Sequence, residues 1–423
     1  MSEMLQVPCL TTALTGPLQT LEKVFLDNQC EIETWLREQF RKTPAPIYGS
    51  VDLRNAGFKL APVDTNLFPA GFNNLNPEFL PLCVQAAQQI VDSQLPGASK
   101  IVLVPENHTR NHFYLDSVAV LQQIFTMAGF DVRIGSMLAD LTEAQTFELP
   151  SGKSIVLEPL QRDGDSVKLN DFVPDLVLLN NDLSGDQPVI LQNLKQPIMP
   201  PLSLGWSTRL KSEHFSYYFN VAAEFCELFD IDPWLLTPLH RNCGKINYME
   251  REGEDCLYAN STKLFAAMKE KYVQYGITEK PFIIVKADAG SYGMGIMTAT
   301  SPDDLVNLNR KQRTKMSTTK GGEGVSRVIL QEGVYTFETW GDEQSVAEPV
   351  VYMIGQHVVG GFYRVHGKRG VTENLNAPGA HFEPLAFMKP CNVPGEPCEN
   401  RFYAYGVVAR LALVAAAREL AAS

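Results

Sequence analysis

The stretch that most constrains this chain is Pro281–Met297, PFIIVKADAGSYGMGIM. Phe282-Ile283-Ile284-Val285 is a short apolar run of the kind that fills a buried strand. Lys286 and Asp288 follow, and then a loop holding Gly290, Ser291, Gly293 and Gly295. Glycines let a backbone turn sharply and approach a ligand, so that successive N–H groups can point at phosphate oxygens. Lys286, at the strand end, would add a cation for the same phosphates. The stretch lacks the Gly-Lys-Ser/Thr ending of a P-loop, and its glycine order is not that of a dinucleotide-binding turn. A plain glycine-rich hairpin is the alternative. The lysine between strand and glycines favours a nucleotide.

With 423 residues the chain can build two or three domains with their own cores. Its 36 basic and 48 acidic residues leave a charge of −12, which argues against a general nucleic-acid surface. Cations for a nucleotide must therefore be concentrated locally. The eight cysteines are scattered without a C-x-x-C pair, and reduced thiols are expected. No basic region followed by an apolar core opens the chain. Tyr403–Ala422 is interrupted by Arg410 and Arg418, so an amphipathic packing helix is expected and not a membrane span. A cytoplasmic protein without membrane or nucleic-acid partners is the expectation.

Along the chain, Leu18–Arg41 has helical spacing up to the Pro44-Ala45-Pro46 break. Ile47–Leu53 and Phe58–Val63 flank Asn55-Ala56-Gly57 and read as a β-hairpin. It carries Asp52 on one strand and Asp64 with Asn66 at the end of the other. A helix over Pro77–Gln94 follows. From Lys100 strands and helices alternate: Ile101–Val104, Phe113–Ala128, Asp131–Ile134, Ile155–Leu160 and Leu176–Leu179. That pattern predicts an α/β layer with a parallel sheet. The polar loops Pro105–Asn111 and Asn180–Gly185 lie where such sheets place ligands. A helix with Arg209 and Lys211 at its start lies within Pro200–Leu239, and another spans Thr262–Tyr275. A basic loop is expected over Arg313–Gly324, a strand over Val328–Gln331, and a hairpin from Glu348–Ile354 and His357–Arg364.

The order strand, lysine, glycine-rich loop resembles the phosphate-covering flap of the ATP-grasp ligases. More closely, VKADAGSYGMGIMT, YRVHGKRGVTENLNAPGAHFEPL and APVDTNLFPAGFNNL resemble the proteobacterial-type glutamate–cysteine ligase family over most of the chain. The resemblance implies an α/β, ATP-grasp-like enzyme that uses ATP and Mg²⁺. It would join the γ-carboxylate of L-glutamate to the amine of L-cysteine through an acyl phosphate, the first step of glutathione biosynthesis. It also implies that Lys286 and Lys211 reach the nucleotide, though a solvated helix-end lysine is an equal reading of Lys211. Gln331-Glu332-Gly333-Val334 is similar to the hinge that holds adenine, with a surface Glu332 as the plainer reading. Arg364 and Asn374 are similar to phosphate-contacting, catalytic residues of the glutathione-synthetase branch.

ATP-grasp chains end with an acidic hairpin that holds the metal, and this chain has none after Ala380. Asp52, the Asn55–Gly57 turn and Asp64-Thr65-Asn66 have that form near the N-terminus. A circularly permuted ATP-grasp fold is therefore expected: 1–98 with the metal-binding hairpin, 99–245 as the substrate domain and 246–423 as the nucleotide-binding domain. Asp52, Asp64 and Asn66 suit Mg²⁺. Glu348, Glu373 and Asn376 form a rival cluster. An amino-acid substrate needs cations for its carboxylate, with Arg54, Arg110 and Arg209 as candidates, and acids for its ammonium, with Glu106 and Asp182. A homo-oligomer is compatible with all of this.

Overall fold

The Asn55-Ala56-Gly57 turn reverses the chain as its residue types predict. Gly57 takes a φ of 73°, a left-handed conformation that suits glycine, and its N–H donates to Asn55 Oδ1 at 2.9 Å. Strands Tyr48–Asn55 and Leu60–Asn66 pair antiparallel with Asp52 opposite Asp64 and Ser50 opposite Asn66. This computed structural model describes residues 10–11, 16–107, 110–185, 187–290, 296–317, 324–384 and 402–422.

The hairpin is not a free appendage. Tyr48–Asn55 pairs antiparallel with Ser345–Ile354, which pairs with His357–His366 and through it with His381–Pro384. Leu10–Thr11 and Thr339–Trp340 complete this seven-stranded sheet, so both ends of the chain build one layer. The expected parallel sheet is present between them. Lys100–Pro105 lies between Leu176–Asn180 and Asp131–Ser136, and Ser154–Pro159 continues the series, all parallel. Its central strands are buried on both faces, as their unbroken runs of Val, Leu and Ile require. A third sheet of four antiparallel strands has the order His240–Lys245, Arg327–Glu332, Ile283–Ala287, Met297–Ala299.

Several elements differ from expectation. Leu18–Arg41 is two helices, Pro17–Asp27 and Gln29–Lys42, divided at Asn28, whose side-chain amide donates to Val24 O at 2.8 Å. The Thr262–Tyr275 helix begins earlier and spans Glu254–Gln274, because Gly253 makes the turn with a φ of 87° and two acids favour the first turn. Arg313 lies in a short helix, Arg310–Met316, held by a reciprocal Asn309–Gln312 capping box, so the basic loop is partly ordered. The rest of that loop, 318–323, falls outside the described residues.

The C-terminal helix, Phe402–Ala422, is buried on nearly every face and is not amphipathic. It packs on the Lys211–Glu227 helix, the two N-terminal helices and the hairpin. Its two arginines reach rim carboxylates: Arg410 pairs with Glu33 and Arg418 with Glu224. Among the described residues no helix is long and apolar enough to cross a membrane.

Candidate active site

All three sheets contribute to one cavity of about 320 Å³. Ser50, Asp52 and Arg54 occupy alternate positions on one hairpin strand, and Asp64 and Asn66 do so on the other, so each set shares a face. All five line the cavity. The flap strand brings Lys286 and Gly290, and the neighbouring strand brings Gln331, Glu332 and Val334. Glu106 and Asp182 enter from the ends of two adjacent parallel strands, where open α/β sheets bind ligands.

On the hairpin side the charges neutralise one another. Arg364 Nη1 donates to Asp52 Oδ2 at 2.8 Å and to Glu348 Oε1 at 2.5 Å, while its Nε is buried without a partner among the described residues. Arg54 donates to Glu348 Oε2 at 3.1 Å and to the carbonyls of Val334 and Glu373 at 3.2 and 2.5 Å. Burial raises the pKa of Asp52. Arg364 opposes that rise, and the charges of Glu348 and Asp64 add to it. Burial also works against the Arg364 charge, but Asp52 and Glu348 outweigh it and hold its pKa above the usual arginine value.

The opposite side presents lysines held by neutral acceptors. Lys286 Nζ donates to Val63 O at 2.7 Å and to Gln331 Oε1 at 2.8 Å. Lys211 Nζ donates to Gly290 O at 2.5 Å and sits 3.9 Å from the centre of the Trp206 ring. Burial lowers both pKa values, that of Lys211 to about 8, with Asp64 opposing the change in each case. Lys211 is therefore no solvated helix end. It opens the Lys211–Glu227 helix, which has no side-chain cap of its own. Asp288 supplies one from the flap: it accepts from Ser212 N and Ser212 Oγ, each at 2.8 Å, and its carbonyl accepts from Lys211 N. That carboxylate ties the base of the flap to the second lysine.

The hinge segment is buried, which excludes the surface reading of Glu332. Glu332 pairs with the fully buried Lys59 at 2.7 Å and accepts from Trp234 Nε1 and Leu239 N. The amides of Glu332 and Gly333 already donate to Leu239 O and Phe282 O. A Cβ on Gly333 would fall 2.1 Å from the Phe282 ring, so a glycine is sterically required there. Gln331 Nε2 is buried without a partner among the described residues.

Not every expected residue arrives. Arg209 is buried away from the cavity, bound to Glu419 at 2.7 and 3.0 Å and to Thr65 O at 2.8 Å, because a buried guanidinium needs a carboxylate. Arg110 is exposed and does not line the cavity. Asn374 and Asn376 do line it, and Asn374 Oδ1 accepts from Asn376 N at 2.9 Å. Glu373 turns outward to Arg369 and to Gly370 N, at 2.8 and 2.7 Å. Ser291, Gly293 and Gly295 lie outside the described residues. Trp206, Phe68, Tyr352, Phe362 and Phe382 line the cavity and went unforeseen. A signal existed for Tyr352, since Glu348, Val350 and Tyr352 alternate along one strand and share its cavity face.

The donors fit a hard divalent cation. Asp52 and Asp64 are register partners across the hairpin, and Asn66 follows two residues on with its Oδ1 accepting from Phe68 N at 2.9 Å. The Asp64 charge adds to the rise in the Asp52 pKa, a repulsion that a cation would relieve. Among the described residues, no group of three or more acidic, histidine or cysteine side chains forms a ready cage, so phosphate and water oxygens would complete the shell.

The sequence profile described as Glutamate-cysteine ligase matches residues 22–420. A crystal structure from Methylobacillus flagellatus KT, described as a candidate gamma-glutamylcysteine synthetase, is 57% identical, covers 99% of each chain and superposes with a TM-score of 0.90. D-alanyl-alanine synthetase A from Vibrio cholerae O1 is 13% identical over 56% of this chain and 59% of that one, with a TM-score of 0.28. A glutathione synthetase-like effector from Globodera pallida is 10% identical over 82% of this chain and 77% of that one, with a TM-score of 0.35. Neither of these last two superposes well enough to bear on this chain. No protein with a curated description matches it.

Proposed function

Because the chain belongs to the glutamate–cysteine ligase family, we propose that its central cavity binds Mg²⁺-ATP, L-glutamate and L-cysteine and joins the two amino acids through a γ-glutamyl phosphate. The observation that carries this reading is the opposition, across one cavity, of a buried and a half-buried lysine, Lys211 and Lys286, and an acid-and-amide hairpin.

Lys286 and Lys211 bind the phosphates, exchanging carbonyl and amide acceptors for phosphate oxygens. The Gln331–Val334 segment holds the base. Arg364, with Asn374 at its side, stabilises charge on the phosphoryl group in transfer. Bound by Asp52, Asp64 and Asn66, magnesium supplies neutralisation of phosphate charge. Glu106 and Asp182 hold the substrate ammonium. Arg54 keeps Glu348 in place, since its donors are already committed. A γ-carboxylate oxygen of glutamate bonds to the γ-phosphorus as the bond to the ADP oxygen breaks. The cysteine nitrogen then attacks the acyl carbon, phosphate leaves, and the nitrogen loses a proton. The chain's part is positioning and charge stabilisation, without a covalent nucleophile.

In this reading the fold is ATP-grasp-like in permuted order: 1–98 supplies the metal hairpin, 99–245 the substrate domain and 246–423 the nucleotide-binding domain. Pairing of Tyr48–Asn55 with Ser345–Ile354 supports the permutation. Pairing of His240–Lys245 with Arg327–Glu332 favours assigning His240–Lys245 to the nucleotide-binding domain as well. The test is incubation with ATP, Mg²⁺, glutamate and cysteine. ADP, phosphate and a γ-linked dipeptide are expected. AMP with pyrophosphate would overturn the acyl-phosphate route, and faster turnover with another amine would overturn cysteine as the acceptor.

A further inference from the structure

Two thiols touch outside the cavity. Cys243 lies on the edge strand His240–Lys245 of the four-stranded sheet, and Cys256 lies in the first turn of the Glu254–Gln274 helix. Their sulfurs are 3.5 Å apart. Asn260, one turn further along the helix, donates its side-chain amide to both, at 3.4 Å to Cys243 and 3.2 Å to Cys256. The other described cysteines differ: Cys83 and Cys226 are buried singly, and Cys30 is exposed. Among the described residues none of these touches a second thiol.

We propose that Cys243 and Cys256 form a dithiol modification site that a low-molecular-weight disulfide converts to an intramolecular disulfide. Accessibility and contact divide the two roles. Cys256 is exposed and can meet a disulfide from solvent. Cys243 is buried against it and is in place to resolve the mixed disulfide. The Cys256 thiolate attacks one sulfur of R–S–S–R, forming the mixed disulfide and releasing one thiolate. The Cys243 thiolate then attacks the Cys256 sulfur and releases the second. The protons lost by the two cysteines end on the two released thiols, so two protein thiols are oxidised and one small disulfide is reduced.

Closing from contact to a bond of about 2.05 Å requires a shift of roughly 1.5 Å. Between the cysteines, Ile246 and Tyr248 are buried in the core, so the shift falls on the exposed turn 249–252 that leads into the helix, held by an Asn247–Glu252 bridge and a Lys245–Glu252 ion pair at 3.4 Å. Burial pushes the Cys243 thiol up to about 12, which slows the second step at neutral pH. The bond would staple the edge strand to the helix packed on it, behind the sheet that carries Lys286 and Gln331. Neither cysteine lines the cavity.

The whole protein, reduced and then exposed to cystamine, should be alkylated and digested with trypsin. The expected product joins the peptide Asn242–Lys245 to Glu252–Lys263, two hydrogens lighter than the reduced pair, and dithiothreitol should restore both. Melting temperature should rise by about 2 °C or more on oxidation, and Cys256→Ser should abolish both the link and the rise while keeping basal turnover. Cysteamine remaining on Cys256 with Cys243 still alkylated would overturn the proposal. So would both thiols reacting no faster than Cys30.

Discussion

The two walls of the cavity satisfy their charges in opposite ways. On the hairpin wall, Arg364 and Arg54 are held by the carboxylates of Asp52 and Glu348. On the flap wall, Lys286 and Lys211 are held by carbonyls, an amide oxygen and an aromatic face. An anion arriving at the lysines replaces neutral acceptors and gains a charge-assisted bond. An anion arriving at Arg364 competes with two carboxylates, unless a cation engages them first. Under the proposed function the lysine wall would be open to a triphosphate as it stands, while the arginine wall would become available only together with a metal.

The largest effect should follow from emptying the lysine wall. Lys286→Ala should lower kcat/KM for ATP by roughly 10- to 150-fold, the equivalent of about 1.5–3 kcal/mol for a charge-assisted contact. Steady-state kinetics on a variant with an unchanged circular dichroism spectrum measures it. Unchanged efficiency would remove Lys286 from the site.

A smaller effect should separate the two walls by pH. Lys211, lowered to about 8, is charged at pH 7 and loses its proton as pH rises through that value. The proposed phosphate contact would therefore be present below about pH 8 and lost above it, and ATP affinity should fall on the order of tenfold between pH 7 and 9.5. Arg364, held above the usual arginine value by Asp52 and Glu348, stays charged throughout. Lys211→Met should bind more weakly at pH 7 and show a shallower profile in calorimetry, with Lys286, also lowered by burial, left to titrate. A wild-type profile that is itself flat would show that Lys211 does not meet the phosphates.

The legibility of these walls in the sequence follows from their secondary structure. The hairpin was readable because an Asn-Ala-Gly turn fixes where the chain reverses, and period two then assigns Asp52, Asp64 and Asn66 to their faces. Lys286 was readable from its place after an apolar run. Parallel strands Lys100–Pro105 and Leu176–Asn180 were readable for the same reason, and they carried Glu106 and Asp182 with them. Trp206 sits on an irregular loop, where no period tells which way a side chain points. Arg209 was misplaced because its partner, Glu419, lies at the far end of the chain, and only tertiary packing brings the two together. The C-terminal helix misled because Arg410 and Arg418 suggest a solvent face, whereas each extends from a buried helix to a carboxylate at its rim.

The sharpest comparison sets Asp64 against Glu373, one from each acidic cluster. Asp64 lines the cavity and raises the pKa of Asp52 by its charge, so it contributes to a crowded pair that a cation would relieve. Glu373 lies outside that wall. Arg369 and the Gly370 N–H already occupy its oxygens, and hydrogen bonds from Gly370 and then Arg369 hold its pKa below the usual glutamate value. Asp64→Asn should therefore raise the Mg²⁺ concentration needed for half-maximal turnover on the order of tenfold, because Mg²⁺ relies on one or two carboxylates. It should leave the melting temperature nearly unchanged, since removing one of two crowded charges relieves repulsion. Glu373→Gln should shift the Mg²⁺ requirement by less than about twofold, as surface substitutions stay within roughly 0.5 kcal/mol. Mn²⁺ binding followed by electron paramagnetic resonance, with ADP present and no turnover, measures the same contrast directly. If Glu373→Gln weakens Mn²⁺ binding and Asp64→Asn does not, the metal belongs to the Glu348–Glu373–Asn376 side, and the hairpin is only a wall.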